Sequence, residues 1–132
     1  MADYATRVDR DAITNEMPWS ERNVPPTLYG LLSQTAEKFP DRNAVTFQMF
    51  SDPGARAETL TWRTLKARVT QAANLFRGLG VGENDTVAIL MPNCTECVVS
   101  LYGAQVAGIA NPINPLLEPE QIASILRETG AK

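Results

Sequence analysis

The sequence predicts an α/β fold, in which part of a parallel β-sheet is flanked by helices and accompanied by a β-hairpin. Three observations carry this prediction. An amphipathic stripe runs from Trp62 to Leu79, a nearly continuous apolar run follows over Thr86–Met91, and helical and extended patterns alternate from Thr86 onward. Such alternation is typical of parallel sheets with helices packed on their faces. With 132 residues, of which 44% are hydrophobic, the chain is long enough for one compact core.

An arm and a helix open the chain. Residues 1–26 are polar, lack a hydrophobic period and close with two prolines, so we expect an extended N-terminal arm. Residues 27–132 then form the α/β unit. Apolar residues at helical spacing predict a first helix over Leu28–Phe39, with Thr27 as its N-cap and Pro40 as its stop.

A hairpin and a long helix come next. The alternating stretch Ala44–Phe50 and the short segment Thr59–Thr61 predict two strands, separated by the turn-rich sequence Ser51-Asp52-Pro53-Gly54. The stripe from Trp62 to Leu79 predicts the longest helix, with its apolar residues in the core. Apolar members of this stripe recur every three or four residues: Trp62, Leu65, Val69, Ala72, Phe76 and Leu79.

A buried strand and a third helix are predicted in the second half. The run Thr86–Met91 is apolar at almost every position, which favours a strand buried on both faces. A helix is expected over Cys94–Ala107, with Asn93 as its N-cap and Glu96 reaching back in a capping box.

The last elements are a brief extended segment at Ile109–Ile113 and a helix that begins around Glu118 and stops at Gly130. In parallel α/β structure a strand normally follows such a helix. We therefore expect the chain to stop short of a strand, which would leave an open sheet edge and favour homodimerisation through it.

The amino-acid composition argues against several classes of function. The 12 Lys and Arg residues are outnumbered by 15 Asp and Glu, for a net charge of -3, which argues against a nucleic-acid partner. No apolar run approaches the roughly 18 residues of a transmembrane helix, and the first ten residues carry no hydrophobic signal core. A cytoplasmic protein is expected. Histidine is absent, which excludes histidine-based chemistry within this chain.

Two short motifs could bind a ligand, but each also has a simple structural interpretation. Gly78-Leu79-Gly80-Val81-Gly82 follows a helix, whereas phosphate-binding glycine loops follow a strand and open a helix, so we favour a helix C-cap and a turn. Asn111-Pro112-Ile113-Asn114-Pro115 would form a rigid loop at a strand end, where ligand sites of α/β proteins lie. Simple turn chemistry remains the favoured interpretation of this second motif.

The sequence Cys94-Thr95-Glu96-Cys97 is the one motif with redox character. It is predicted at a helix N-terminus, where the partial positive charge of the helix favours a thiolate. A single CxxC pair cannot complete a structural zinc site. We favour small packing residues over a dithiol function.

An ordered set of segments resembles the opening of AMP-forming acyl-CoA synthetases, within the adenylate-forming ligase superfamily that includes luciferases and peptide-synthetase adenylation domains. The set spans residues 27–132 and consists of Thr27-Leu28 through Leu32, Pro40-Asp41-Arg42, Leu60-Thr61-Trp62 through Leu65, Leu79-Gly80-Val81, Asp85-Thr86-Val87-Ala88, Met91-Pro92-Asn93 with Glu96, Ala107-Gly108, Asn111 through Pro115, and Gly130-Ala131-Lys132. Fatty-acyl-CoA synthetases are the nearest likeness.

The resemblance implies the first subdomain of the large N-terminal domain of such an enzyme, ending before the nucleotide-binding motifs. The parent would join a carboxylic acid, most simply a fatty acid, to ATP as an acyl-adenylate and transfer the acyl group to CoA, with magnesium assisting. The family's Ser/Thr/Gly-rich phosphate loop with its lysine has no counterpart here. No catalytic, cofactor-binding or metal-ligating residue is therefore assigned, and the chain alone is expected to be inactive and to bind none of these cofactors.

Two alternatives remain open at the level of sequence. One is a small dithiol oxidoreductase that uses Cys94 and Cys97. The other is a non-catalytic interaction module. Under the favoured interpretation, the partners are the remainder of the synthetase, a carboxylic acid and CoA.

Overall fold

The computed structural model describes residues 6–52 and 54–132. A short 3₁₀-helix lies at Trp19–Glu21. The helices and strands, in chain order, are α1 (Arg7–Asn15), α2 (Leu28–Lys38), β1 (Asn43–Gln48), β2 (Ala57–Thr61), α3 (Trp62–Gly78), β3 (Thr86–Leu90), α4 (Thr95–Ala107), β4 (Ile109–Ile113) and α5 (Pro119–Thr129).

The strands form two pairs. β1 and β2 are antiparallel and make the predicted hairpin. β3 and β4 are parallel, with Thr86 opposite Ile109 and Leu90 opposite Ile113. Helix α4 connects the parallel strands, as a crossover between parallel neighbours requires. The predicted α/β fold, with a partial parallel sheet, flanking helices and a hairpin, is confirmed.

The structure corrects one expectation about the arm before residue 27. It was expected to be extended, but it contains α1, because the Thr6 side chain accepts the Asp9 N–H and the Asp9 carboxylate accepts the Thr6 N–H. This capping box satisfies amides at the helix start even though α1 buries none of its residues. Residues 1–5 of the predicted arm, and Pro53 of the predicted turn, lie outside the described residues. The domain boundary at residue 27 stays a prediction.

Caps define the ends of the other helices. Thr27 accepts the Gly30 N–H at 3.0 Å, as expected for the start of α2. The expected cap of α4 is wrong: Cys94 occupies the N-cap position, with extended backbone and without a side-chain hydrogen bond. Gly130 ends α5 with a left-handed φ of 57°, a conformation that glycine adopts without strain.

The hairpin is fastened to the start of α3. Thr61 ends β2 and also caps α3, its hydroxyl accepting the Thr64 N–H. The Trp62 and Arg63 amides donate to the carbonyls of Arg42 and Pro40, at 3.1 and 3.0 Å. These bonds fix the angle between the hairpin and the helix.

Two apolar clusters form the core. The first joins α2 and the hairpin to α3 and includes Leu60, Leu65 and Val69. The second joins the parallel strands to α4 and includes Val87 and Ile89. The stripe of α3 faces both clusters except at its last member: Leu79 was expected in the core but is exposed, because α3 ends at Gly78 and Leu79 already belongs to the turn.

Helices α3 and α4 meet at a point where only small side chains fit. Gly103 of α4 faces Ala72 of α3, and a Cβ built on Gly103 would lie 2.6 Å from the Ala72 Cβ. Ala104, the next residue, is fully buried. Because two helix backbones approach closely only where side chains are small, this contact sets the distance between the two clusters.

Gly103→Ala is expected to destabilise the protein although alanine is the better helix former. Overpacking a tight contact costs about 1–3 kcal/mol, whereas the intrinsic gain of Gly to Ala in a helix is at most about 1 kcal/mol. The matched control is Gly78→Ala in the last turn of α3, where the added Cβ meets nothing within 4 Å. Urea unfolding should give Gly103→Ala the lower free energy of unfolding of the two. Equal values would show that the helices are not in close contact.

Leu65→Ala is expected to cost about 2–5 kcal/mol, the usual range for a buried leucine. Leu65 is 2% exposed, whereas Leu75 on the same helix is 60% exposed. Leu75→Ala is therefore the control, with a change within about 0.5 kcal/mol. Thermal or urea unfolding of both variants measures the difference. A similar loss at both positions would mean that the buried face of α3 has been assigned wrongly.

Candidate functional site

The loop after β4 uses its polar groups locally. In parallel α/β proteins, ligands bind beyond the carboxyl ends of the strands, a region that here includes Asn114, whereas Asn111 lies within β4. The Asn111 Nδ2 donates to Thr129 Oγ1 at 3.4 Å, and the Asn114 Oδ1 accepts the Leu116 N–H at 3.0 Å. The second bond is an Asx turn, which stabilises the loop. Asn114 thus supports the turn interpretation for the end of this motif, whereas Asn111 to Ile113 belong to β4 and Asn111 bonds to the last residue of α5.

The glycine-rich segment after α3 is a helix end followed by a turn, as predicted. Leu79 is the C-cap of α3, and its N–H donates to the Leu75 and Phe76 carbonyls. Gly80 has a φ of 86°, which reverses the chain away from the helix. Because the segment follows the C-terminus of α3, its position gives no helix N-terminus on which a phosphate could bind.

One member of the cysteine pair, Cys97, is part of the packing between α4 and the parallel strands. Cys94 is the N-cap residue and Cys97 lies in the first turn; both are free thiols and half-buried. Cys97 packs against the cluster of Val87 and Ile89, and Thr95 between the two cysteines is fully buried. A partly buried thiol in apolar surroundings is less reactive than an exposed one near a cation. These contacts do not support the dithiol oxidoreductase alternative.

An ion pair that the sequence did not reveal joins distant parts of the chain. The Lys132 Nζ lies 2.7 Å from Asp85 Oδ2 and also donates to the Gly80 carbonyl at 3.1 Å. The same Oδ2 accepts the Gly82 N–H at 2.7 Å. The Lys132 N–H donates to the Thr86 carbonyl at 2.9 Å. We call this arrangement the Asp85–Lys132 clamp.

The clamp lies where several elements meet. The backbone of Asp85 accepts the Ile109 N–H at 2.9 Å, which aligns β4 with β3. A Cβ on Gly108 would lie 2.5 Å from the carbonyl oxygens of both Asp85 and Gly82, so only glycine fits at this joint. The two charged partners are separated by 47 residues. Both belong to segments of the family resemblance, but nothing in the sequence indicated that they lie close together.

Hydrogen bonding and charge lower the pKa of Asp85. The largest cause is the hydrogen bond from Lys132, followed by that from the Gly82 N–H, and together they hold the pKa below its ordinary value of 3.8. The carboxylate is therefore ionised at neutral pH and acts as an acceptor. An ionised aspartate can hold Lys132 through a hydrogen bond, but it has no proton to give and is poorly suited to act as a general acid.

The second feature that sequence reasoning missed is an open apolar groove between α2, α3 and α4. Its volume is about 760 Å³. Tyr29, Trp62 and Tyr102 contribute to its wall, and the Tyr29 hydroxyl bonds to Thr70 Oγ1 at 2.7 Å. The exposed leucines Leu28 and Leu31 at its rim were the available signal. Among the described residues, no charged side chain lines the groove, so these residues can hold apolar groups there but supply no charged acid or base.

Ligands for a metal ion do not cluster in the part of the chain that the structure describes. There, no three His, Cys, Asp or Glu side chains lie together in a way that could hold a metal ion. Within the same residues, no helix is long and apolar enough to cross a membrane. The assignment of no catalytic, cofactor-binding or metal-ligating residue stays a prediction.

Comparison with known proteins identifies the class. Residues 32–132 match the family described as AMP-binding enzyme, so the chain belongs to that family. It is 36% identical over 116 residues to marinolic acid–CoA ligase of a Pseudoalteromonas species, covering 85% of this chain and 17% of the relative. It is 35% identical over 120 residues to the long-chain-fatty-acid–AMP ligase FadD26 of Mycobacterium marinum, covering 86% and 19%. The chain thus spans less than a fifth of these two relatives.

Solved structures agree with this class. The N-terminal domain of FACL13 from Mycobacterium tuberculosis superposes with a TM-score of 0.65 and 29% identity, over 79% of this chain and 25% of that one. The expected resemblance to the N-terminal part of adenylate-forming enzymes is therefore confirmed, and with it the fold of a first subdomain.

The Asp85–Lys132 clamp is expected to open in acid. The pKa of Asp85 is lower in the folded than in the unfolded state. The clamp therefore contributes fully to the stability of the fold above about pH 4, near the unfolded-state pKa, and loses this contribution as the pH falls through the lower folded-state pKa. An NMR titration should place the midpoint of the Asp85 carboxyl carbon below 3.8, with the Lys132 amide shifting at the same midpoint.

The control for this titration is Lys132→Met, which keeps a long apolar side chain and removes the ammonium group. The Asp85 midpoint should rise toward its ordinary value, while the Gly82 bond keeps it from rising fully. An unchanged midpoint in Lys132→Met would show that the lysine does not contact the carboxylate in solution.

Proposed function

We propose that this chain is the N-terminal part of an AMP-forming ligase that activates a fatty acid with ATP and passes the acyl group to CoA. In the first step the carboxylate attacks the α-phosphorus of ATP, giving acyl-adenylate and pyrophosphate. In the second step the thiol of CoA attacks the acyl carbon, forming a thioester and releasing AMP. Magnesium would offset the charge of the triphosphate in the first step.

The observation that carries this proposal is the family match over residues 32–132, together with two relatives above 30% identity. The names of those relatives supply the substrate class, since one is a long-chain-fatty-acid ligase and the other acts on marinolic acid. Their names also differ in the group that is joined to the acid: one relative is named a CoA ligase and the other an AMP ligase. We propose CoA as the acceptor of the acyl group. We also propose a cytoplasmic location, because ATP and CoA are available there.

Within such an enzyme, we assign this chain a structural role. Its candidate polar groups serve its own fold: Asn111 links β4 to the end of α5, Asn114 stabilises the loop after β4, and Asp85 holds Lys132. ATP, magnesium and CoA would bind to the remainder of the synthetase, which is the principal partner of this segment. The segment supports that site by providing a rigid frame of α3, α4 and the parallel strands.

A non-catalytic interaction module is the second candidate. The apolar groove between α2, α3 and α4 favours it, because an open groove of about 760 Å³ with exposed leucines at its rim can bind another apolar surface. The two candidates differ in one respect. The ligase proposal requires the same polypeptide to continue into a nucleotide site, whereas a module needs only its own surface.

The chain of 132 residues is expected neither to bind ATP at micromolar affinity nor to catalyse ATP–pyrophosphate exchange. The reason is that neither a phosphate loop nor its lysine occurs in the sequence. Isothermal titration with Mg-ATP and radiolabelled pyrophosphate exchange with a fatty acid would measure both properties. The comparison is the longer protein that contains this segment, which should do both.

Two results would contradict the proposal. Micromolar ATP binding by the short chain would place nucleotide contacts within these residues. A longer protein that folds but catalyses no exchange with any carboxylic acid would favour the interaction module.

A further inference from the structure

Helix α4 begins differently from the other α-helices that the structure describes. Side-chain oxygens cap the starts of α1, α2 and α3, and a capping box closes the start of α5. Helix α4 has neither, because its N-cap residue, Cys94, makes no side-chain hydrogen bond. Cys97 is the third residue of the helix, so two free thiols occupy the N-cap and N3 positions. These are the positions whose side chains meet in a capping box.

The same two positions are in side-chain contact elsewhere in this protein. At the start of α3, the Thr61 and Thr64 hydroxyl oxygens lie 3.1 Å apart. At the start of α1, the Thr6 hydroxyl lies 2.6 Å from an Asp9 carboxylate oxygen. Residues three apart inside a helix have Cβ atoms about 5–6 Å apart, too far for the ~3.5–4.5 Å of a disulfide. An N-cap side chain reaches across the first turn because its own residue is extended.

Cys94 has the backbone conformation that directs an N-cap side chain toward N3. The direction of a Cβ relative to the residues that follow it depends on the angle ψ. This angle is 174° at Cys94, against 163° at Thr6 and 164° at Thr61. A staggered χ1 of Cys94 can therefore place its Sγ toward Cys97 without moving the helix.

We propose that Cys94 and Cys97 form a reversible modification site, at which oxidation joins the two thiols in a disulfide across the first turn of α4. The oxidant is a low-molecular-weight disulfide such as oxidised glutathione. One cysteine attacks it, forms a mixed disulfide and releases one glutathione thiol; the second cysteine then attacks the protein sulfur of that bond and releases the other. The protein loses two hydrogens and two electrons, and the oxidant becomes two thiols.

The surroundings of the two thiols assign the order of these steps. Both cysteines are half-buried. Cys97 packs against the cluster of Val87 and Ile89, whereas Cys94 belongs to neither apolar cluster and follows the exposed Asn93. Cys94 therefore meets the oxidant first, and Cys97 resolves the mixed disulfide.

A disulfide fits this pair better than a metal ion does. Two thiolates are only half of the ligands of a structural zinc ion. Among the described residues, no third His, Cys, Asp or Glu side chain joins them in a group that could hold a metal ion. The site also differs from the oxidoreductase alternative, because it needs no substrate protein and the oxidised state belongs to this chain. It does not depend on the proposed ligase activity.

The disulfide would supply the cap that α4 lacks. The first backbone hydrogen bond of this helix, from the Val98 N–H to the Cys94 carbonyl, is long at 3.3 Å. A covalent link between N-cap and N3 holds that turn closed. Because α4 connects β3 to β4 and packs on both strands, the oxidised and reduced forms differ at an element that supports the parallel sheet.

The test oxidises the 132-residue chain in glutathione buffers and measures free thiols by colorimetric titration and mass by mass spectrometry. We expect both thiols to disappear together, with a monomer lighter by two hydrogens and full reversal by dithiothreitol. The matched variants are Cys94→Ser and Cys97→Ser, each of which should stop at a mixed disulfide with glutathione. Cys97→Ser should react faster, because it keeps the more accessible Cys94.

A urea-unfolded sample separates the effect of the fold from that of the short spacing. The glutathione ratio at half-oxidation should favour the disulfide about tenfold or more in the native chain, within the range of measured disulfide contributions to stability. By linkage, oxidation then stabilises the fold by the same factor, and Val98 amide exchange should slow. Equal half-oxidation ratios in native and unfolded chains would overturn the proposal. So would a native product that keeps glutathione on both cysteines, or a disulfide-linked dimer.

Discussion

The close contact between α3 and α4 is the constraint on which the rest of the structure depends. Gly103 allows the two backbones to approach so closely that a Cβ at this position would lie 2.6 Å from the Ala72 Cβ and 3.2 Å from the Ala73 backbone nitrogen. On one side of this contact lie α2 and the hairpin, packed on Leu65 and Val69; on the other lie the parallel strands, packed on Ala104 and Ala107. Without the contact, each half would have too small a core to be stable alone.

Several of the segments that resemble the family occur at joints between elements. Asp41 forms an ion pair with Arg63 at 3.1 Å, where the end of α2 meets the start of α3. Gly108 lies against the carbonyls of Gly82 and Asp85, and Lys132 closes the same joint with its side chain. A physical reason thus exists for these residue types at these places. Each one fixes the angle between two elements or the register of a strand.

Much of the fold could be predicted from the sequence because its signals are local. The stripe from Leu65 to Phe76 has the spacing of a helix, and the apolar run of β3 is typical of a buried strand. Helix α3 and strand β3 both lie where they were expected. Helix α1 was missed because its signal is a cap, Thr6 with Asp9, and not a hydrophobic period. Burial of Leu79 was overestimated because its spacing continues the stripe after the helix has ended.

Features that depend on contacts across long sequence separations could not be predicted in this way. Nothing near Asp85 in the sequence indicates Lys132, and the groove beside Tyr29 and Tyr102 needs three helices to be placed before it exists. The cysteine motif shows the reverse case. Its local pattern allowed a redox role, and the packing of Cys97 against the strands supports the structural role that the sequence analysis favoured.

The central claim is that the chain is one cooperative scaffold, held together through α3 and α4. Native-state hydrogen exchange in increasing denaturant tests it most directly, with Ala36 of α2 and Ile89 of β3 as reporters of the two halves. If the two halves unfold as one unit, the opening free energies of both amides should converge on the global value with the same denaturant dependence. If Ala36 instead opened at a lower free energy while Ile89 stayed protected, the halves would be independent and the claim would be wrong.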